Sequence, residues 1–131
     1  ILRGLEAGLG RSIFIMFVVS EVHPFTDGNG RIARVMMNAE LMRVGLTRII
    51  IPTVFRNDYL RGLRLLSRKR KAEALIRMMD FAQRFVSEVP VISYETTLRA
   101  LTECNAFRQP DDGKLQLPSQ LSYWDITHPG N

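Results

Sequence analysis

The chain holds a single cysteine, Cys104, in 131 residues. No intramolecular disulfide can form, and a reducing cytoplasm is the expected location. Long apolar runs are missing too. The longest, IFIMFVV from Ile13 to Val19, falls far short of the ~20 residues that cross a bilayer, so a buried core element is expected there and a membrane partner is not. The ends show no signal-peptide pattern. An initiator methionine is also lacking, since the sequence opens on Ile1, and an N-terminally incomplete piece of something longer is expected. Repeats, low-complexity tracts and a second domain are absent.

What is present fits one compact domain. At this length and 46% hydrophobic composition, a domain buries roughly two-thirds of its unfolded surface, enough for one core. Lys and Arg exceed Asp and Glu by 18 to 13, a net charge of +5, and the basic residues gather around Arg61 to Lys71 (RGLRLLSRKRK). A solvated helix end is the expected reading. Nucleic acid is not expected as a partner, because no aromatic residues are interleaved there for base stacking.

Arg11 to Val22 has the length of a helix, but its β-branched and aromatic content would also suit a strand. Ile32, Val35, Met36, Ala39 and Met42 recur at helical spacing, and Gly45 follows where a helix C-terminus favours a left-handed residue. TRIIIP reads as an extended connector closed by Pro52. A helix is expected over Asp58 to Leu66, with Tyr59, Leu60, Leu63 and Leu66 on one face, and another from about Lys71 to Val86. Ser93 is placed to cap a further helix carrying Leu98, Leu101 and Ala106. The turn signal Asp111–Gly113 before KLQL suggests a short hairpin or an irregular loop, and the last residues are expected to be mobile. The fold class is all-α.

Between the first two helical segments lies HPFTDGNGRIAR, His23 to Arg34. Gly28 and Gly30 allow a sharp turn and close approach of a ligand to the main chain, while free N–H groups at the next helix start point outward. The result is a cradle for an anion. Arg31 and Arg34 disfavour that helix when it is empty: a cation in the first turn opposes the macrodipole by about 0.3–1 kcal/mol, and two cations at i and i+3 repel. A bound polyanion reverses both effects, and two guanidinium forks can grip phosphate bidentately. Asp27 has the wrong sign for phosphate and the right one for Mg²⁺, which takes one or two carboxylates and completes its shell with waters and phosphate oxygens. His23, the only histidine besides His128 in the tail, stands at the mouth of the cradle, where a neutral imidazole can accept a hydroxyl proton as general base.

At these residues the sequence resembles the Fic family, whose signature His-Pro-Phe-x-Asp/Glu-Gly-Asn-Gly-Arg-x-x-Arg is matched throughout. RSIFIMFVVSEV and VMMNAELMRVG resemble the helices that flank this motif, which turns the Arg11–Val22 ambiguity toward helix. The likeness weakens through RIIIPTVFRNDYLRGLRLLSR and is faint after about Val89. It implies a compact helical bundle with the active-site loop between two central helices, a catalytic core over residues 1–108 and a C-terminal tail over 109–131. It further implies a protein adenylyltransferase that moves AMP from ATP, with Mg²⁺, onto a Ser, Thr or Tyr hydroxyl of a target protein, pyrophosphate leaving. By that likeness His23 is the base, Asp27 the Mg²⁺ ligand and Phe25 a core anchor for the loop. Gly28, Asn29 and Gly30 form the anion hole, Arg31 grips the phosphate chain and Arg34 orients the γ-phosphate. Tyr59 and Ser67 fall where the family lines the nucleoside pocket, Ser67 replacing the usual Asn.

Two family elements are not found. The 22 residues before His23 are too few for the flap hairpin that docks the target, and no Ser/Thr-x-x-x-Glu-Gly/Asn inhibitory motif occurs. Inhibition is therefore expected from a missing N-terminal helix or an antitoxin-like partner chain, and a homodimer is left open. The alternatives are transfer of UMP, phosphocholine or phosphate on the same fold, a non-catalytic nucleotide-binding regulatory module, and a nucleic-acid binder resting on the +5 charge.

Overall fold

The structure is a computed structural model that describes residues 7–121. His128 and the rest of the final segment lie outside the described residues, as does the expectation that the last residues are mobile. The described residues form helices and irregular segments with no strand: α1 (Ala7–Val22), α2 (Asn29–Arg43), a 3₁₀ turn (Thr53–Phe55), α3 (Arg56–Lys69), α4 (Glu73–Glu88), α5 (Tyr94–Glu103) and a second 3₁₀ turn (Pro118–Gln120). The fold is all-α. None of the described helices is long and apolar enough to cross a membrane.

Helix α1 is apolar almost all round, and burial is what gives it a face. Leu9, Ser12, Ile13 and Met16 are buried at helical spacing while Phe14, Val18 and Val22 stay exposed. The buried Ser12 hydroxyl is satisfied by donating to the Gly8 carbonyl at 2.7 Å, which removes the cost of an unpaired polar group. Helix α2 packs along α1 through Asn29, Ala33, Met37 and Leu41, one residue per turn. The recurring residues that identify the helix do not all face the core: Val35, Met36 and Met42 are exposed, Val35 at 68% and Met42 at 61%. Apolar residues lie on two sides of α2, so periodicity identifies the helix without saying which side faces the core. Glu40 accepts from Arg43 and pairs with Arg11 of α1 at 3.5 Å. The Arg43 hydrogen bonds hold its carboxyl below the ordinary value.

Gly45 takes φ 76° just beyond α2, and two side chains hold the connector that follows, with Gln83 of α4 donating to the Thr47 carbonyl at 2.9 Å. Asn38 donates to the Ile49 carbonyl at 2.9 Å and accepts from the Ile49 N–H at 2.8 Å, substituting for the partner strand an extended segment would otherwise need. Helix α3 then lies against α4 with Gly62 in contact with Leu75. Leu75, Met78, Met79, Ala82 and Phe85 form the buried stripe of α4. Ser93 caps α5 by accepting from the Thr96 N–H at 3.1 Å, and the helix stops at Glu103, short of Ala106.

Two clusters make up the core. The larger joins α1, α2, α3 and α4 around Met16, Met37, Leu41 and Met79. The smaller gathers Val54, Phe85, Cys104, Ala106, Leu115 and Leu117. Of the two forms expected for the segment after 108, the irregular one is present: Leu115 and Leu117 are buried without strand pairing, and a 3₁₀ turn follows.

Candidate active site

Helix α1 is closed by an unusual residue. His23 adopts φ 51° and its N–H reaches the Val19 carbonyl at 3.2 Å. A left-handed residue is a common helix stop, but glycine usually fills it, and a residue before proline is normally confined to extended geometry. Backbone held in so sparse a region is typical of functional loops. The imidazole is exposed.

The loop is then drawn shut by Asn29. Its amide accepts from the Phe25 N–H at 3.0 Å and donates to the Phe25 carbonyl at 2.9 Å, and Asn29 itself is buried, 6% exposed. Phe25 was expected to anchor the loop by packing into the core. It is 53% exposed, and the anchoring is done by hydrogen bonds to its main chain, a task its ring has no part in.

Gly28 is the N-cap of α2, at φ 74° and ψ 14°, with no side-chain cap and no acid in the first turn. Its carbonyl accepts the first helical bond, from the Ile32 N–H at 3.0 Å. The N–H groups of Asn29, Gly30 and Arg31 precede any carbonyl within α2 that could accept from them, so they remain available to a ligand. Both arginines fold back over the glycines. A β-carbon at Gly28 would stand 3.5 Å from Arg31 Nη2, and one at Gly30 only 3.3 Å from Arg34 Nη1. Among the described residues the ion pairs are made by Arg11, Arg43 and Arg99, so Arg31 and Arg34 have no carboxylate partner. Asp27 is exposed in the turn just before them.

Helix α3 supplies the site's far wall. The Arg34 guanidinium sits over the Tyr59 ring, 5.9 Å from its centroid. Tyr59 is 7% exposed and its hydroxyl donates to Met16 Sδ at 3.4 Å, while Ser20 donates to the same sulfur at 3.8 Å. Ser67 is exposed and donates to Glu21 Oε2 at 2.8 Å, tying α3 to the last turn of α1 beside His23. Met16 and Glu21 are absent from the sequence reading. Glu21 left one signal, an acid in the last turn of a helix, where the macrodipole disfavours it; Met16 looked like any core methionine.

Asp27 is the carboxylate nearest the loop in sequence, and no group of three or more His, Cys, Asp or Glu side chains assembles among the described residues. This donor set fits Mg²⁺, which takes few protein carboxylates and relies on phosphate and water.

These features define an all-helical domain with an exposed loop and an uncapped helix start between α1 and α2. Residues 6–41, which take in α1, the loop and most of α2, match the model of the Fic/DOC family. The chain is similar to the protein adenylyltransferase Fic of Nematostella vectensis, 60% identical over 38 residues, or 29% of this chain and 9% of that protein. It is similar also to the proteins of that name in Drosophila yakuba and Drosophila melanogaster, 52% and 50% identical over 44 residues, 34% of this chain and 9% of each relative. The chain thus spans less than a tenth of the length of these relatives. No solved structure matches it.

Proposed function

We propose that this chain carries the catalytic centre of a protein adenylyltransferase, transferring AMP from ATP to a hydroxyl side chain of a target protein. The observation that carries the reading is the pair of arginines without carboxylate partners, folded over an uncapped helix start directly after a strained histidine. A triphosphate supplies the charge those groups lack.

In this reading the main-chain N–H groups of Asn29, Gly30 and Arg31 hold the phosphates, with the two guanidinium groups closing on the same chain. Asp27 would hold Mg²⁺, which when bound neutralises phosphate charge. His23 takes the proton of the target hydroxyl as that oxygen bonds to the α-phosphorus. The bond from the α-phosphorus to the bridging oxygen breaks, and pyrophosphate leaves with the electron pair. The protein contributes position and charge stabilisation, as in phosphoryl transfer generally. The names of the relatives support AMP as the group moved.

The test is incubation with Mg²⁺, cell lysate and ATP labelled on the α- or the γ-phosphate, beside His23→Ala. Protein-bound α-label lost in the variant is the expected result. γ-label on protein would replace the reading with phosphate transfer, and no label of either kind with ATP still bound would leave a nucleotide-binding module.

A further inference from the structure

We infer that Tyr59 is a positioning residue for Arg34: its ring holds the guanidinium over the start of α2, so that the phosphate-binding fork is set before nucleotide arrives. The inference rests on the proposed reading for its consequence, but its geometry stands alone.

Arginine carries a long side chain with much rotamer freedom, and the usual way to restrain one is a carboxylate. Arg34 has none among the described residues. It has a slot instead. On one side is the face of Tyr59, 5.9 Å from the guanidinium carbon to the ring centroid, within the range where a cation is attracted to an aromatic quadrupole. Gly30 leaves room beside the guanidinium, since a β-carbon there would stand 3.3 Å from Arg34 Nη1. A ring restrains the cation without neutralising it, so the charge stays available to phosphate. A carboxylate would compete for it.

The platform is itself fixed. Tyr59 is buried and its hydroxyl is committed to Met16 Sδ in α1, so the ring cannot turn away with the guanidinium. A tyrosine that stacks on a nucleoside would need a free ring face, and this face carries Arg34. The restraint therefore runs from the α1 core through the ring to a residue of the loop-bearing helix.

The experiment replaces Tyr59 with phenylalanine, with 3,4,5-trifluorophenylalanine and with leucine, and measures Mg·ATP and adenosine affinities by titration calorimetry in the full chain. The fluorinated ring keeps shape and burial while emptying the ring face, so it tests the idea even where Tyr59→Leu does not fold. Expected are near-normal ATP affinity for Tyr59→Phe and a loss of about three- to tenfold for the other two, as a lost cation–π contact implies. Adenosine affinity should stay unchanged, and Tyr59→Leu should add nothing once Arg34→Gln is present. Equal losses for adenosine, or an undiminished Tyr59→Leu effect in the Arg34→Gln background, would overturn the inference. If the wild-type chain binds no nucleotide, the functional reading fails separately, and the Arg34 Nε–H resonance then decides. It should be shifted upfield by the ring in the wild type and not in Tyr59→Leu; equal shifts in both would overturn the positioning role.

Discussion

The side chain of Asn29 holds both polar main-chain groups of Phe25, one at 3.0 Å and one at 2.9 Å, across the turn that carries Asp27 and Gly28. Asn29→Ala leaves the Phe25 N–H and carbonyl without their partner, and an unmet pair of this kind costs about 1–3 kcal/mol. Urea unfolding should show that loss, and α-label transfer should fall with it. Asn29→Asp keeps the acceptor, loses the donor and adds a negative charge at the anion site. It should therefore cost less stability than Asn29→Ala and more ATP affinity, an ordering that parallel unfolding and calorimetry would check.

Gly30 separates stability from function in the opposite direction. It lies inside α2 with ordinary helical geometry, so alanine should stabilise the helix by up to about 1 kcal/mol. The added methyl group would meet Arg34 Nη1 at 3.3 Å and shift the guanidinium by a few tenths of an ångström. Gly30→Ala should melt higher and bind ATP more weakly. Gly28→Ala differs, because φ 74° strains any residue with a β-carbon by roughly 1–2 kcal/mol, and it should lower both stability and affinity.

Ser67 donates to Glu21 at 2.8 Å, an exposed contact that joins α3 to the turn just before His23. Exposed contacts of this kind are worth little, about 0.5–1 kcal/mol. Ser67→Ala and Glu21→Ala each remove the contact, and the double variant should cost less than the sum of the two. A double-mutant cycle in urea measures the coupling; strict additivity would mean that the contact contributes nothing.

Cys104 is fully buried, and burial pushes its thiol up to about 11, with the nearby charges of Glu103 and Glu88 adding to the effect. The native chain should therefore resist a thiol reagent at pH 8 and react only as it opens, so that the labelling rate reports unfolding. The sign of the pH dependence follows. Between an unfolded value near 9.0 and the folded one, the unfolded thiol ionises while the native thiol does not, so the unfolded state binds fewer protons and stability falls as pH rises. Cys104→Ala should flatten this alkaline decline in a series of melts from pH 8 to 11.

The candidate site could be read as one cluster in the primary structure because its residues are local. His23, Asp27, Gly28, Gly30, Arg31 and Arg34 sit within one turn and one helix start, and anion binding at a helix N-terminus depends on little beyond those residues. The helix starts and stops at Ser93 and Gly45 were legible for the same reason, since capping is a matter of near neighbours. The face that α2 buries was not. Val35 and Met42 repeat as regularly as Ala33, Met37 and Leu41 do, and only contact with α1 selects between the two stripes.

The chain's order alone therefore determined the helical class, the sharp turn before α2 and the set of polar groups that turn presents. Tertiary structure decided what holds that chemistry in place: Asn29 turned inward to clasp Phe25, Tyr59 under Arg34 and Ser67 against Glu21. The reason is physical. Backbone conformation and caps are governed by residues a turn apart, whereas an orienting contact needs side chains from distant segments to meet. Which ones meet is set by how α1, α2 and α3 pack, through shape and burial that no short stretch of sequence records.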